Sequence, residues 1–135
     1  MNQPNPTGRT RVIDRFYTAM HNGDAVALRE TLGEDFVGRV SDGLPGGFGG
    51  THAGPDRMLR DCWVPVHLAF KALPHPEECL HTTDGRVVVA GRYRGTAPAT
   101  GEPFAAAFVH IFTLADGRIV ELRQVTDTRR WPDVR

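Results

Sequence analysis

Three residues of this chain could move or hold a proton in apolar surroundings: His110, Gln124 and Tyr93. An imidazole titrates near neutral pH and can exchange a proton with an enol or a hydroxyl. A carboxamide can donate a hydrogen bond or orient a ring, but it is no base, and a phenol can serve as a second donor. Together they suit the formation of an enol beside a carbonyl, where one group takes a proton and others steady the enolate oxygen. Intramolecular aldol closure is one reaction with that requirement.

His110 and Gln124 lie in the stretch 104-FAAAFVHIFTLADGRIVELRQVTDTRRW-131, which reads as a long two-stranded hairpin. A three-residue loop, 115-ADG-117, with Gly117 at positive φ, pairs Leu114 with Arg118, Phe112 with Val120, His110 with Leu122 and Phe108 with Gln124. One face then carries Ala106, Phe108, His110, Phe112, Val120, Leu122, Gln124 and Thr126. The other carries Val109, Ile111, Glu121 and Arg123. The first face is the oily one and should be interior, with His110 and Gln124 as diagonal neighbours. Polar groups on such a face must be hydrogen-bonded or serve a ligand. In 86-RVVVAGRYRG-95, Arg92 and Arg94 claim the wet face, which turns Tyr93 inwards.

The elements that must carry these residues can be read upstream. Residues 1–8 form a loose tail, and Thr10 or Thr7 caps a helix over 10–22 whose apolar positions are Val12, Ile13, Phe16, Tyr17 and Met20. Gly23 ends it, and Asp24 caps a short second helix, 25–32. A strand at 36–40 follows, then 41–54, whose six glycines argue against regular structure and suit a flexible lid tipped by Phe48 or an ordinary surface loop. Pro55 opens a third helix that Pro65 ends or kinks. Strands are predicted at 67–73, 77–82 and 86–95 before the hairpin. Residues 9–135 therefore make one α+β domain of three helices and a curved, mostly antiparallel six-stranded sheet.

Composition narrows the function. Sixteen basic and sixteen acidic residues cancel, which excludes a basic nucleic-acid face. No run approaches a membrane span, and the polar start 1-MNQPNPTG-8 points to the cytoplasm. Cys62 and Cys79 form no paired motif and read as reduced structural residues. His75, Glu77, Cys79 and His81 alternate along one strand; neighbours on one face sit roughly 7 Å apart, so the four cannot share a metal ion. Asp127 has outward parity and suits a strand end or a cap on the turn after it. Asp42 and His52 flank the glycine-rich loop.

The run 92–128, with 35-DFVGRV-40 and 54-GPDRML-59, resembles the SnoaL-like branch of the nuclear transport factor 2-like superfamily. That branch sits beside ketosteroid isomerases, limonene epoxide hydrolases and scytalone dehydratases. The resemblance implies a cone-shaped fold around one apolar pocket. In SnoaL-like cyclases a strand His works with an Asp fourteen positions later; here these are His110 and Gln124. Epoxide hydrolases use an Arg, an Asp and the same last-strand Asp, where this chain has Gly91, Tyr93 and Gln124. Ketosteroid isomerases use a Tyr and an Asp whose nearest matches are Phe16 and Val40.

The expectation is a cofactor-independent cyclase or isomerase in which His110 transfers the proton and Gln124 and Tyr93 assist. Val40, Trp63, Ala106, Phe108 and Leu122 wall a pocket for a small apolar ligand. The alternatives are a ligand-binding domain, with His110 as a core histidine satisfied by Gln124, and a dehydratase or hydrolase. Val109, Ile111 and Val125 on the outer face, and relatives with this fold, point to a homodimer.

Overall fold

A computed structural model of the protein describes residues 7–135. Of the expected tail at 1–8, residues 1–6 lie outside the described residues, and residues 7 and 8 belong to a helix. Helix α1 (Thr7–Asn22) begins earlier than expected, so Thr10 falls within its first turn instead of capping it. Gly23 takes a φ of 63°. The carboxylate of Asp24 then accepts a hydrogen bond from the Ala27 N–H at 3.0 Å, which starts α2 (Ala25–Glu30) as predicted.

The sheet has six strands in the order β2-β1-β6-β5-β4-β3. They are β1 (Leu32–Val40), β2 (Gly50–Ala53), β3 (Leu73–His81), β4 (Arg86–Thr96), β5 (Pro103–Ala115) and β6 (Arg118–Thr126). β1 runs parallel to β6, and every other neighbouring pair is antiparallel. Alternation sorts the faces: Val87, Val89 and Tyr93 of β4 are buried while Arg92 and Arg94 are exposed. On β5 and β6 the buried set includes Ala106, Phe108, His110, Phe112, Leu122 and Gln124.

The closing hairpin differs from the expected register. Its loop has two residues, Asp116 (φ 54°) and Gly117 (φ 75°), between the pair Ala115 and Arg118. Two consecutive positive φ values match the right-handed twist of the strands, and Asp-Gly supplies them cheaply. A bulge beyond Thr113 then shifts the pairing, so Phe112 faces Leu122 and His110 faces Gln124 directly. Near the turn the buried residue is Ile119, with Val120 only half-buried.

Two other segments depart from expectation. The predicted strand 67–73 is the end of the third helix, which runs through Pro55–Met58, a π-turn at Leu59–Trp63 and Val64–Phe70. Pro65 does not stop it. The π-turn bonds the Val64 N–H to the Leu59 carbonyl, and Pro65 follows in the first turn of the resumed α-helix, where a missing N–H is tolerated. Cys62, Val66 and Phe70 are buried and His67 and Leu68 exposed, which is a helical period. The glycine-rich stretch also contains structure, since β2 pairs with β1 from Val37–Ala53 to Val40–Gly50.

Between the helices and the concave sheet lies the core, in which Phe16, Phe36, Phe70, Phe112, Met58 and Ile119 are fully buried. Each such side chain contributes about 1.5–3 kcal/mol. Ion pairs such as Arg29 with Asp56 and Arg39 with Glu121 are solvent-exposed and contribute little.

Candidate functional site

Register brings the polar pair together: Val89, His110, Gln124 and Val40 are successive partners across β4, β5, β6 and β1. Tyr93, four residues beyond Val89, leans back over this row. Its hydroxyl lies 2.9 Å from His110 Nε2 and donates to Gln124 Oε1 at 2.6 Å. His110 Nε2 is also 3.1 Å from Gln124 Oε1. From the helical side, the Tyr17 hydroxyl comes within 2.7 Å of His110 Nδ1.

Proton counting assigns the tautomer. With Oε1 of Gln124 placed towards Tyr93, the Tyr93 proton goes to that oxygen, so Nε2 must carry the imidazole proton and donate it. Nδ1 is then the acceptor, and the Tyr17 O–H donates to it. All four side chains are thereby joined in one uncharged chain. Desolvation maintains that state: burial pushes the His110 pKa down to about 3, against a smaller upward pull from Gln124. Burial likewise raises both phenols far above their ordinary range. Aromatic rings surround the imidazole: the Phe108 ring lies 4.1 Å away at 28°, and the Tyr17 ring centroid lies 5.9 Å away.

A cavity of about 190 Å³ adjoins one end of this chain. Its wall includes Tyr93, Gln124, Trp63 and Cys62, and its rim is formed by exposed residues at 23–25 and by Val64, His67 and Leu68. Tyr93, Gln124 and Trp63 thus stand on the wall. His110 is wholly buried behind Tyr93 and Gln124. Val40, Ala106, Phe108 and Leu122 are corrections to the expected wall: they are buried but do not line the cavity. The rings of Phe16, Tyr17, Phe108 and Phe112 fill the deep part of the cone, so the hollow lies nearer the ends of the helices.

Among the described residues, two polar groups on the wall lack a protein partner. The Trp63 indole N–H is buried without one. No hydrogen bond is recorded for the Gln124 amide nitrogen among the described residues. Asp24 is the carboxylate among the cavity-lining residues; Oδ1 caps α2, and Oδ2 makes no hydrogen bond among the described residues. The Cys62 thiol is pushed up to about 12 by burial and stays protonated.

Sequence reasoning missed Tyr17 as a polar partner. The signal was present, because a phenol on the buried face of an amphipathic helix must find a hydrogen-bond partner. Family comparison pointed to Phe16, one position away. The glycine-rich stretch does not cover the cavity: no residue of 41–54 lines it, Phe48 packs on the core, and the His52 ring bonds the Phe48 carbonyl. Asp42 and Asp127 are exposed, and the Asp127 side chain makes no capping bond. His75, Glu77, Cys79 and His81 lie exposed along edge strand β3. Among the described residues no three His, Cys, Asp or Glu side chains are grouped to hold a metal ion, and no helix is long and apolar enough to cross a membrane.

Three solved structures share this architecture. An NTF2-like protein of unknown function from Burkholderia pseudomallei is 27% identical, with a TM-score of 0.80, over 90% of this chain and 92% of that one. A putative polyketide cyclase from Sinorhizobium meliloti is 26% identical, with a TM-score of 0.70, over 85% and 94%. IdmH, a putative polyketide cyclase from Streptomyces antibioticus, is 25% identical, with a TM-score of 0.74, over 90% and 93%. No curated protein matches the chain significantly. The sequence pattern of the SnoaL-like domain matches residues 13–122, and with the NTF2-like fold this places the chain in the SnoaL-like family.

Proposed function

We propose that this protein is a cofactor-independent cyclase or isomerase acting on a small, largely apolar carbonyl compound. The observation that carries the reading is the buried chain Tyr17–His110–Tyr93–Gln124, which meets the cavity only through Tyr93 and Gln124. SnoaL-like membership and the similarity to putative polyketide cyclases support a reaction of this type.

In this reading a substrate ketone places its oxygen against Tyr93 and the free amide of Gln124, with the Trp63 N–H available to a second acceptor. The Tyr93 O–H turns from Gln124 to the substrate, and its oxygen still accepts from His110 Nε2–H. A donor that is itself hydrogen-bonded in a dry site donates more strongly. The enolate oxygen that develops is stabilised by donors already in place. Sequence reasoning gave His110 the proton transfer. Its enclosure and its pKa near 3 favour a different role in this reading, orienting and polarising Tyr93. The carbon proton leaves towards the rim, where Asp24 accepts it. For cyclisation, the enolate carbon then bonds to a second carbonyl of the same molecule. That carbonyl becomes an alkoxide and takes a proton back from Asp24, while the walls hold the substrate folded for closure.

Deuterium exchange at the carbon beside the carbonyl of α-tetralone tests this without knowledge of the natural substrate. The wild-type protein should accelerate exchange, and Tyr93→Phe should lower the acceleration about a hundredfold while leaving ketone affinity within a few-fold. Unchanged exchange in the variant would contradict the reading. A second reading, a ligand-binding domain, is favoured by the burial of His110 away from the cavity. It gains if Tyr93→Phe weakens affinity and no form accelerates exchange.

A further inference from the structure

The cavity is small for a whole ligand. A closed apolar cavity of about 150 Å³ holds one benzene ring, and pockets for larger metabolites run from about 300 Å³ upwards. At about 190 Å³, this one takes little more than a ring or a short chain. Its mouth, however, continues outwards over apolar surface. Val64 and Leu68 lie one turn apart on the third helix, are 42% and 72% exposed, and both also line the cavity. Val26, which follows the rim residue Ala25 in the chain, is 71% exposed. These three make up half of the six large apolar residues exposed among the described ones. Single exposed apolar side chains need no explanation, but a cluster continuous with a cavity marks a binding surface.

We propose that the ligand is an elongated amphiphile longer than the cavity: a carbonyl-bearing head within, and an apolar chain leaving over Val64 and Leu68. The inference rests on the reading of the cavity as a ligand site and defines the substrate class. Polar groups are arranged to match. The donors, Gln124 and Trp63, are on the wall, and the stretch from Val64 to Leu68 carries only one polar side chain, the exposed His67. A chain lying there covers side chains that water otherwise meets, and each buried methylene strengthens binding about fourfold.

The test is the affinity of a series of methyl ketones, from pentanone to undecanone, followed by quenching of Trp63 and Trp131, which both line the cavity. In the wild-type protein affinity should keep rising to the longest member. In the double variant Val64→Gln, Leu68→Gln the rise should stop several carbons earlier. Both positions are exposed enough for the variant to fold, which its near-UV circular dichroism checks. A rise that stops at the same length in both proteins overturns the proposal and leaves the cavity reading standing. Failure of every ketone to bind overturns both. A wild-type dimer that the double variant converts to monomer would identify the patch as a subunit contact and overturn the amphiphile proposal.

Discussion

At the scale of single residues, His110 is a neutral group held by partners on both nitrogens. Its folded pKa, about 3, lies below the ordinary imidazole value. The unfolded chain therefore binds the extra proton first as pH falls. The resulting stability is fully present above about pH 6.5 and is lost progressively towards pH 3. Urea unfolding across that range should show the loss in the wild-type protein and a flatter profile in His110→Gln. Asp24 offers a separate test of proton removal. Asn caps a helix about as well as Asp, so Asp24→Asn should hold stability within about 0.5 kcal/mol. Exchange into α-tetralone should nonetheless fall at least tenfold; exchange at the wild-type rate would remove Asp24 from the mechanism. The inward direction of Tyr93, His110 and Gln124 was legible from parity alone. It survived a wrong register because the true pairing differs by two residues beyond the bulge, which leaves every side chain there on the same face. Between turn and bulge the expected inward residue, Val120, is only half-buried, and its neighbour Ile119 is buried instead. The wall was less legible, since the hollow left between aromatic rings depends on how they stack.

Elements explain why the wall formed where it did. Pro65 reads as a helix stop, yet the π-turn before it lets the helix continue to Phe70. That continuation sets Trp63, Val66 and Leu68 along the cavity and moves the predicted strand 67–73 into the helical layer. No local rule signals a π-turn, because its cost is offset by packing that involves distant strands. The β3–β4 pair shows a similar dependence. A Cβ on Gly91 would collide with the His75 carbonyl, beside the irregularity between Pro76 and Glu78. This is the position that holds an Arg in limonene epoxide hydrolases, and β4 has no room for one here. Gly91→Ala should destabilise the protein by about 2 kcal/mol or more, seen as a lowered thermal midpoint. An unchanged midpoint would mean that β3 gives way easily.

For the whole molecule, the convex side of the sheet mixes charge with apolar surface. Val109 and Ile111 are half-buried there, Val125 is 52% exposed, and Arg39 pairs with Glu121. We propose that a second copy covers this face. Sedimentation at micromolar concentration should give a dimer, and Val125→Lys should shift it towards monomer; a wild-type monomer of 14.9 kDa would refute the proposal. The fold class was legible because helix and strand periods segregate along the chain. The central functional claim is that a carbonyl oxygen sits against Tyr93 and Gln124. The infrared stretch of bound α-tetralone, labelled at the carbonyl carbon, tests this most directly. The stretch should lie below its frequency in cyclohexane and shift back in Tyr93→Phe. A bound ketone that vibrates as it does in cyclohexane would show that no donor meets it.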